Sequence, residues 1–148
     1  MKFAIETQVE ADYLTVKEKF DENLFKALSP SFPKVKVLLF EGSKKGDRVS
    51  LEMDLLLFKQ KWISVIVDDA TDAHEFYFID EGDELPFFLG KWRHKHRIIK
   101  NESGSLIRDE IQYSGRFFWM TPLLFPVLYA QFANRRPVYK KYFRKKLA

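Results

Sequence analysis

Apolar and polar residues alternate strictly at the start of the chain: Ile5, Thr7 and Val9 fall on one side of an extended segment, and Glu6, Gln8 and Glu10 on the other. A period of two is the signature of a half-buried strand, so residues 2–10 are predicted to be the first. The period then lengthens. Asp12 is placed to cap a helix in which Val16, Phe20, Leu24 and Leu28 recur at helical spacing, and Ser29-Pro30 ends it. Pro33 keeps the following link extended. Strand patterns return at 35–41, 48–58, 61–71 and 74–81, with the turn-rich tip Gly42 to Asp47 between the first two. A longer loop, Glu81 to Gly90, leads into 91–101 and 105–114, which read as a hairpin around Asn101 to Gly104.

The last segment reads as one long helix, with Thr121 as N-cap and Pro122 as first helical residue. Leu128, Phe132, Tyr139, Tyr142 and Phe143 share roughly one face, while Pro126 and Pro137 each remove a backbone donor and predict a kink or a late start. The predicted order is therefore strand, helix, six consecutive antiparallel strands, long helix. A strongly curved seven-stranded sheet cannot fill its own concave side, so the terminal helix should lie across it, with a cavity between the two. The fold class is α+β. At 148 residues the chain suits one domain spanning 1–148, and no repeat, low-complexity tract or linker interrupts it.

The stretch KWRHKHRIIK, residues 91–100, carries the densest chemistry. On a strand, side chains two apart share a face, so Trp92, His94, His96 and Ile98 point one way and Arg93, Lys95 and Arg97 the other. The charged set belongs in solvent, and the remainder must face the interior. The next strand agrees, since Ile107, Asp109, Ile111 and Tyr113 alternate with Arg108, Glu110 and Gln112. Glu110 is then placed to pair with Arg97 or Arg93 on the outer side. Inside, a buried Asp109 carboxylate needs a partner, expected to be a histidine, Tyr113 or water.

Three readings compete for this inner group. His94 and His96, with Asp109 as third ligand, are chemically suited to a metal. A histidine paired with Asp109 is suited to general acid–base catalysis. The simplest reading is that the groups hydrogen-bond one another and orient a mostly apolar ligand, or satisfy each other in a packed interior. This third reading is preferred, and neither a metal nor any other cofactor is expected. No nucleophile motif, phosphate loop or dinucleotide fingerprint accompanies the group.

The order of elements, with Phe32-Pro33 before the second strand, Trp92-x-His94-x-His96-x-Ile98 on the sixth and Asp109-x-Ile111-x-Tyr113 on the seventh, resembles the SRPBCC or START-like superfamily of polyketide cyclases, plant pathogenesis-related allergens and lipid-transfer domains. The likeness covers nearly the whole chain. It implies a helix-grip fold, a curved sheet wrapped around a C-terminal helix, and cyclase or dehydratase chemistry as one use of it. Two departures from the plant members are expected. Only Ser29 to Lys34 separates the first helix from the second strand, leaving no room for a second short helix, and the glycine-rich loop is reduced to Gly42 and Gly46.

Composition adds bulk and a charge gradient. Aromatic residues make up 16% of the chain, fifteen of them phenylalanine, which is more than a minimal core requires and suits a lined cavity. Cysteine is absent, excluding disulfides and thiolate metal sites, and the cytoplasm is the expected compartment. The N-terminus lacks the apolar run of a signal peptide. The longest apolar stretch, Phe117 to Phe132, has sixteen residues broken by two prolines, short of the ~20 that span a bilayer. The net charge of +4 resides in the tail: Arg135, Arg136, Lys140, Lys141, Arg144, Lys145 and Lys146 leave 18 of the 25 basic residues against 21 acids. Aromatics interleave the tail, a pattern that can serve RNA or an anionic membrane. The favoured reading is a helix docked through Tyr139, Tyr142 and Phe143 with its cations in water, and no nucleic-acid partner is expected.

The expected function is binding of a hydrophobic or amphipathic small molecule or lipid in an internal cavity between sheet and C-terminal helix. Phe20, Phe40, Trp92, Ile98, Ile107, Ile111, Leu124, Leu128 and Phe132 are the expected wall, with His94, His96, Asp109 and Tyr113 as polar anchors. Leu85, Phe87, Phe88 and Leu89 are apolar residues in a loop, read either as the cavity mouth or as inward-folded core. Trp62 and Trp119 are given no role. The residues favour a non-enzymatic binding protein and assign no catalytic residue. Two alternatives stay open: a polyketide cyclase/dehydratase-like enzyme using His94 or His96 with Asp109, and a membrane-associated lipid carrier that combines the apolar loop with the basic tail.

Overall fold

In a computed structural model, residues 1–145 are described; Lys146 of the basic tail lies outside them. Seven antiparallel strands form one sheet in the order β1-β7-β6-β5-β4-β3-β2. They are β1 (Lys2–Val9), β2 (Lys34–Phe40), β3 (Arg48–Asp54), β4 (Lys59–Thr71), β5 (Glu75–Glu84), β6 (Leu89–Asn101) and β7 (Gly104–Gly115). The architecture is the helix-grip arrangement expected from the pattern, a curved sheet holding a C-terminal helical segment.

Between β1 and β2 the single helix expected from Asp12 onward is two: α1 (Tyr13–Glu18) and α2 (Glu22–Ala27). Each has its own cap. The Asp12 carboxylate accepts from the Leu14 and Thr15 amides, and the Asp21 carboxylate from the Leu24 amide at 3.0 Å. Val16, Phe20, Leu24 and Leu28 are all buried although the helix breaks between Val16 and Leu24, which is why their spacing reads as uninterrupted. The second short helix, expected to be absent, is therefore present.

Other boundaries shift for local reasons. β3 stops at Asp54 because Leu55 to Phe58 make the turn to β4, closed by the Leu55 amide donating to the Phe58 carbonyl at 3.0 Å. β5 and β6 extend toward each other, leaving only residues 85–88 between them. The terminal helix is α3 (Met120–Ala133) and α4 (Arg135–Tyr142), broken at Asn134. Thr121 is not the N-cap: it lies within the first turn of α3, where its hydroxyl accepts from the Gly115 amide at 2.9 Å and ties the helix to the end of β7. Pro126 lies inside α3, and Pro137 falls in the first turn of α4, where a missing N–H forfeits no helical bond. Among the described residues no helix is long and apolar enough to cross a membrane.

The core sits in the concavity as two clusters. Ile5, Leu89, Trp92, Ile111 and Tyr113 meet Leu128 and Phe132 of α3. Val9, Ile98 and Ile107 meet the α1–α2 segment and Tyr139 and Phe143 at the C-terminal end. Tyr139 and Phe143 thus dock as expected, whereas Tyr142 stays 39% exposed. The ladder registers define two ends of the sheet. The pairs Asp54↔Lys59, Ile63↔Glu84 and Leu89↔Gly115 bring the β3–β4, β5–β6 and β7–α3 connections to one end. The basic tail is at the other, where the Phe143 carbonyl accepts from the Ala11 amide just beyond β1 and the Lys145 amide donates to Glu10.

Candidate functional site

Alternation on β6 and β7 sorts the side chains as the sequence predicts. Trp92, His94, His96 and Ile98 are buried, as are Ile107, Asp109, Ile111 and Tyr113. Arg97 lies on the outer face and donates to Glu110 at 3.1 Å and to Glu75 at 2.8 Å, while Arg93 pairs with Glu81 instead of Glu110.

The inner polar groups form a chain of hydrogen bonds. His94 Nε2 and His96 Nδ1 both donate to Asp109 Oδ1, at 2.7 and 2.8 Å. On its other side His94 Nδ1 donates to Asp80 Oδ2 at 3.0 Å, and Asp80 Oδ1 accepts from Trp92 Nε1 at 3.0 Å. With both nitrogens donating to carboxylates, His94 is an imidazolium. Burial opposes that charge, but Asp80 and Asp109 outweigh it and hold the pKa up at about 9. His96 goes the other way: burial pushes its pKa down, Asp109 only partly compensates, and neighbouring His94 adds to the depression. Burial works against the charge of Asp109 too, yet His96 and His94 hold its carboxyl well below the usual range.

His96 is wedged between two phenylalanine rings, Phe20 at 4.3 Å and Phe78 at 4.9 Å between centroids. Among the described residues its Nε2 is buried without a hydrogen-bond partner, and so is the hydroxyl of Tyr139, whose ring centroid is 6.3 Å away. Burial, reinforced by Asp109, raises the Tyr139 pKa and keeps the phenol protonated.

Beside this cluster lies a pocket of about 140 Å³ between β2–β6, the α1–α2 segment and α3. Its wall is mostly apolar, including Phe20, Phe40, Leu51, Trp62, Trp92 and Phe132. Asp80, His94, Ser64, Gln131 and Arg135 supply polar atoms. The Arg135 guanidinium lies over the Phe132 ring, 4.3 Å from its centre.

Of the expected wall, the pocket brings together Phe20, Phe40, Trp92, Leu128 and Phe132, with His94 as a polar member. Ile98, Ile107 and Ile111 are core residues outside that wall, Leu124 packs on the core under α3, and His96 and Asp109 lie outside it too. Tyr113 is separate from the cluster: its hydroxyl donates to the Thr121 carbonyl at 2.8 Å. The loop expected at the mouth is not part of the wall. Leu89 is buried, Leu85 and Phe88 pack against the Trp92 core, and Phe87 is 45% exposed, so the inward-folded alternative describes three of the four. Asp80 is legible by the same alternation, since Phe76, Phe78 and Asp80 share the inward face of β5. Gln131 and Arg135 stand at helical spacing from Leu128 and Phe132, and all four line the pocket from one face of the helical segment.

Three of the polar residues could in principle ligate a metal, the candidate atoms of His94, His96 and Asp109 lying within 4.8 Å of one another. The fit is poor. Both bridging protons would have to leave, including one from an imidazolium whose pKa is raised.

Comparison with protein-family models and with curated protein sequences returns no match. Solved structures do resemble the chain. A Mycobacterium smegmatis protein superposes with a TM-score of 0.69 at 15% identity, over 99% of this chain and 93% of its own. Norcoclaurine synthase from Thalictrum flavum, solved with dopamine and hydroxybenzaldehyde, gives 0.64 at 11% identity, over 99% and 89%. The Zhui aromatase/cyclase from Streptomyces gives 0.61 at 17%, over 90% and 86%, and a START superfamily protein from Mycobacterium smegmatis gives 0.58 at 10%, over 93% and 96%. The chain is thus a helix-grip protein in its architecture. More narrowly, its fold is that of the START-like proteins, an assignment of fold and not of activity.

Proposed function

We propose that residues 1–148 act as one ligand-binding domain that holds a small hydrophobic or amphipathic molecule in the pocket between the sheet and α3. One observation carries this reading: the histidine that faces the pocket, His94, has both nitrogens bonded within the cluster, while the wall beside it is apolar and lined by aromatic rings. Both nitrogens of His94 are occupied, and His96 and Asp109 are buried behind it outside the pocket wall, so the unpaired Nε2 of His96 is not presented to a ligand there. That favours a binding protein over acid–base turnover by these residues. Asp80, Gln131 and Arg135 remain to orient a polar substituent.

Size narrows the ligand class. A dry cavity of roughly 150 Å³ holds a benzene ring, so the pocket of about 140 Å³ suits a single ring or a short branched chain. The likeness to a synthase solved with dopamine and hydroxybenzaldehyde, both single-ring molecules, supports a ligand of that scale.

The test is calorimetry with a series of phenols and aryl acids of one and two rings, together with native mass spectrometry of protein from its own host. Single-ring members should bind, and Leu51→Trp, which projects an indole into the pocket, should abolish binding with the circular dichroism unchanged. Equal binding by Leu51→Trp, or no uptake of any single-ring probe by the parent protein, sinks the reading.

A further inference from the structure

One end of the sheet exposes large apolar side chains that nothing in the fold covers. Leu56 and Leu57, at the tip of the β3–β4 turn, are 80% and 93% exposed, and Phe118, between β7 and α3, is 90% exposed. Phe32, Phe58, Phe87, Phe117, Trp119 and Leu123 stand out by between 45% and 65%. The ladder registers gather the three connections at this end. Within it the rings of Phe58 and Phe87 meet at 5.6 Å, and those of Phe117 and Trp119 stack at 6.3 Å.

α3 extends the second cluster. None of its fourteen residues is charged, and its outward positions Leu123 and Val127 are 65% and 55% exposed. A helix apolar all round normally has a cover on both faces. Leu56, moreover, adopts φ +75°, a conformation for which folding alone favours glycine or asparagine.

Cations frame this surface. Lys2, Lys34, Lys61, Lys91 and Arg116 are exposed and make no ion pair among the described residues. The acids nearby are mostly engaged: Glu52 with Lys59, Asp83 with Arg48, and Asp54 with the Leu56 amide, Glu84 being the exception.

We propose that this end of the sheet docks on an anionic phospholipid bilayer, with the Leu56-Leu57-Phe58 tip and the Phe117-Phe118-Trp119 loop entering the interfacial layer. The two tips are three strand steps apart, roughly 14 Å. A fluid interface accepts both at once without having to match their spacing, and unpaired lysines beside apolar tips complement anionic headgroups. Trp119, stacked and half exposed, has the amphipathic ring that settles at headgroup level. The surface differs from the loop-plus-tail arrangement considered from the sequence, because the Leu85–Leu89 loop and the basic tail occupy opposite ends of the sheet and cannot meet one flat membrane together.

The full chain is sedimented with vesicles of phosphatidylcholine alone and of phosphatidylcholine mixed with phosphatidylserine, while Trp119 emission is followed with brominated acyl chains as quencher. It should pellet with the anionic vesicles, release at high salt, and show quenching that Trp119→Phe removes. The double variant Leu57→Ser/Phe118→Ser, altered only at exposed positions, should bind at least about tenfold more weakly. Neutralising Arg136 and Lys141 should change nothing. Failure to pellet with anionic vesicles overturns the proposal. So does loss of binding on tail neutralisation, or light scattering that shows a dimer dissociated by the double variant, which would assign this end to a second copy of the chain.

Discussion

His96 lies directly opposite Asp109 in the β6–β7 ladder, and His94, two pairs further along, reaches diagonally to the same carboxylate oxygen, so that Oδ1 accepts at 2.8 and 2.7 Å from two imidazoles. Only one of the two can be a cation at modest cost, and Asp80 decides which. By taking the second proton of His94 it makes that ring the imidazolium and leaves His96 neutral. A two-histidine cluster thus acquires a fixed charge distribution from a third strand.

Stability should therefore peak near neutral pH. The folded pKa of His94, about 9, lies above its ordinary 6.5, so its contribution is whole below pH 6.5 and fades as pH rises through 9, a loss on the order of 3 kcal/mol. The folded pKa of His96 is depressed, so below pH 6.5 the unfolded chain binds a proton that the folded chain refuses. Asp109 is depressed as well, and its contribution is lost as pH falls below the ordinary carboxylate range. Urea denaturation at a series of pH values checks this: a decline on both sides of neutrality is expected, and in His94→Leu the alkaline decline should disappear.

Replacing Asp109 by Asn should destabilise the fold by about 3–5 kcal/mol. The amide can keep its one oxygen for the two imidazole donors, but its NH₂ group then takes the place of Oδ2 in a buried site, and the neutral side chain removes half of the countercharge on His94. Circular dichroism melts measure the loss, and NMR titration should find the His94 pKa lowered. An unchanged pKa would mean that Asp80 alone sets the charge.

How far the sequence reveals this site follows from periodicity. A period of two fixes faces without knowledge of neighbours, so the inward set on β6 and β7 and the outward Arg97–Glu110 pair were legible. Distance along the ladder is not encoded the same way. Asp109 and Tyr113 share a face, yet Tyr113 is drawn to the start of α3 and plays no part in the cluster. Asp80 enters it from β5, a strand without histidine, so nothing local marks the carboxylate as a member of the cluster. The apolar end of the sheet is hidden for a similar reason: Leu56, Phe87 and Phe118 are far apart in sequence and come to one end only through register.

The break between α1 and α2 rests on Asp21, which satisfies the Leu24 amide at 3.0 Å. Asp21→Ala should cost about 1 kcal/mol. Because Phe20, immediately before the cap, is both a pocket wall and the ring 4.3 Å from His96, the same change should speed amide exchange at Leu24 and weaken binding of a single-ring ligand. Asp21→Asn, which keeps a capping oxygen, should restore both. Loss of stability with ligand affinity intact would show that the pocket does not depend on this cap.

Phe132 joins the cluster, the pocket and the helix. Its ring stacks on Trp92 at 5.9 Å, meets His94 edge-on at 5.3 Å and lies beneath the Arg135 guanidinium at 4.3 Å. Truncation to alanine removes a buried phenyl and should cost about 3–5 kcal/mol. It also adds roughly a ring's volume to the pocket, so ligand preference should move with it: a one-ring phenol should bind more weakly to Phe132→Ala than to the parent, and a two-ring naphthol more tightly. Calorimetry with the two probes reads this inversion directly. Equal losses for both would mean that Phe132 supports the fold without shaping the space the ligand occupies.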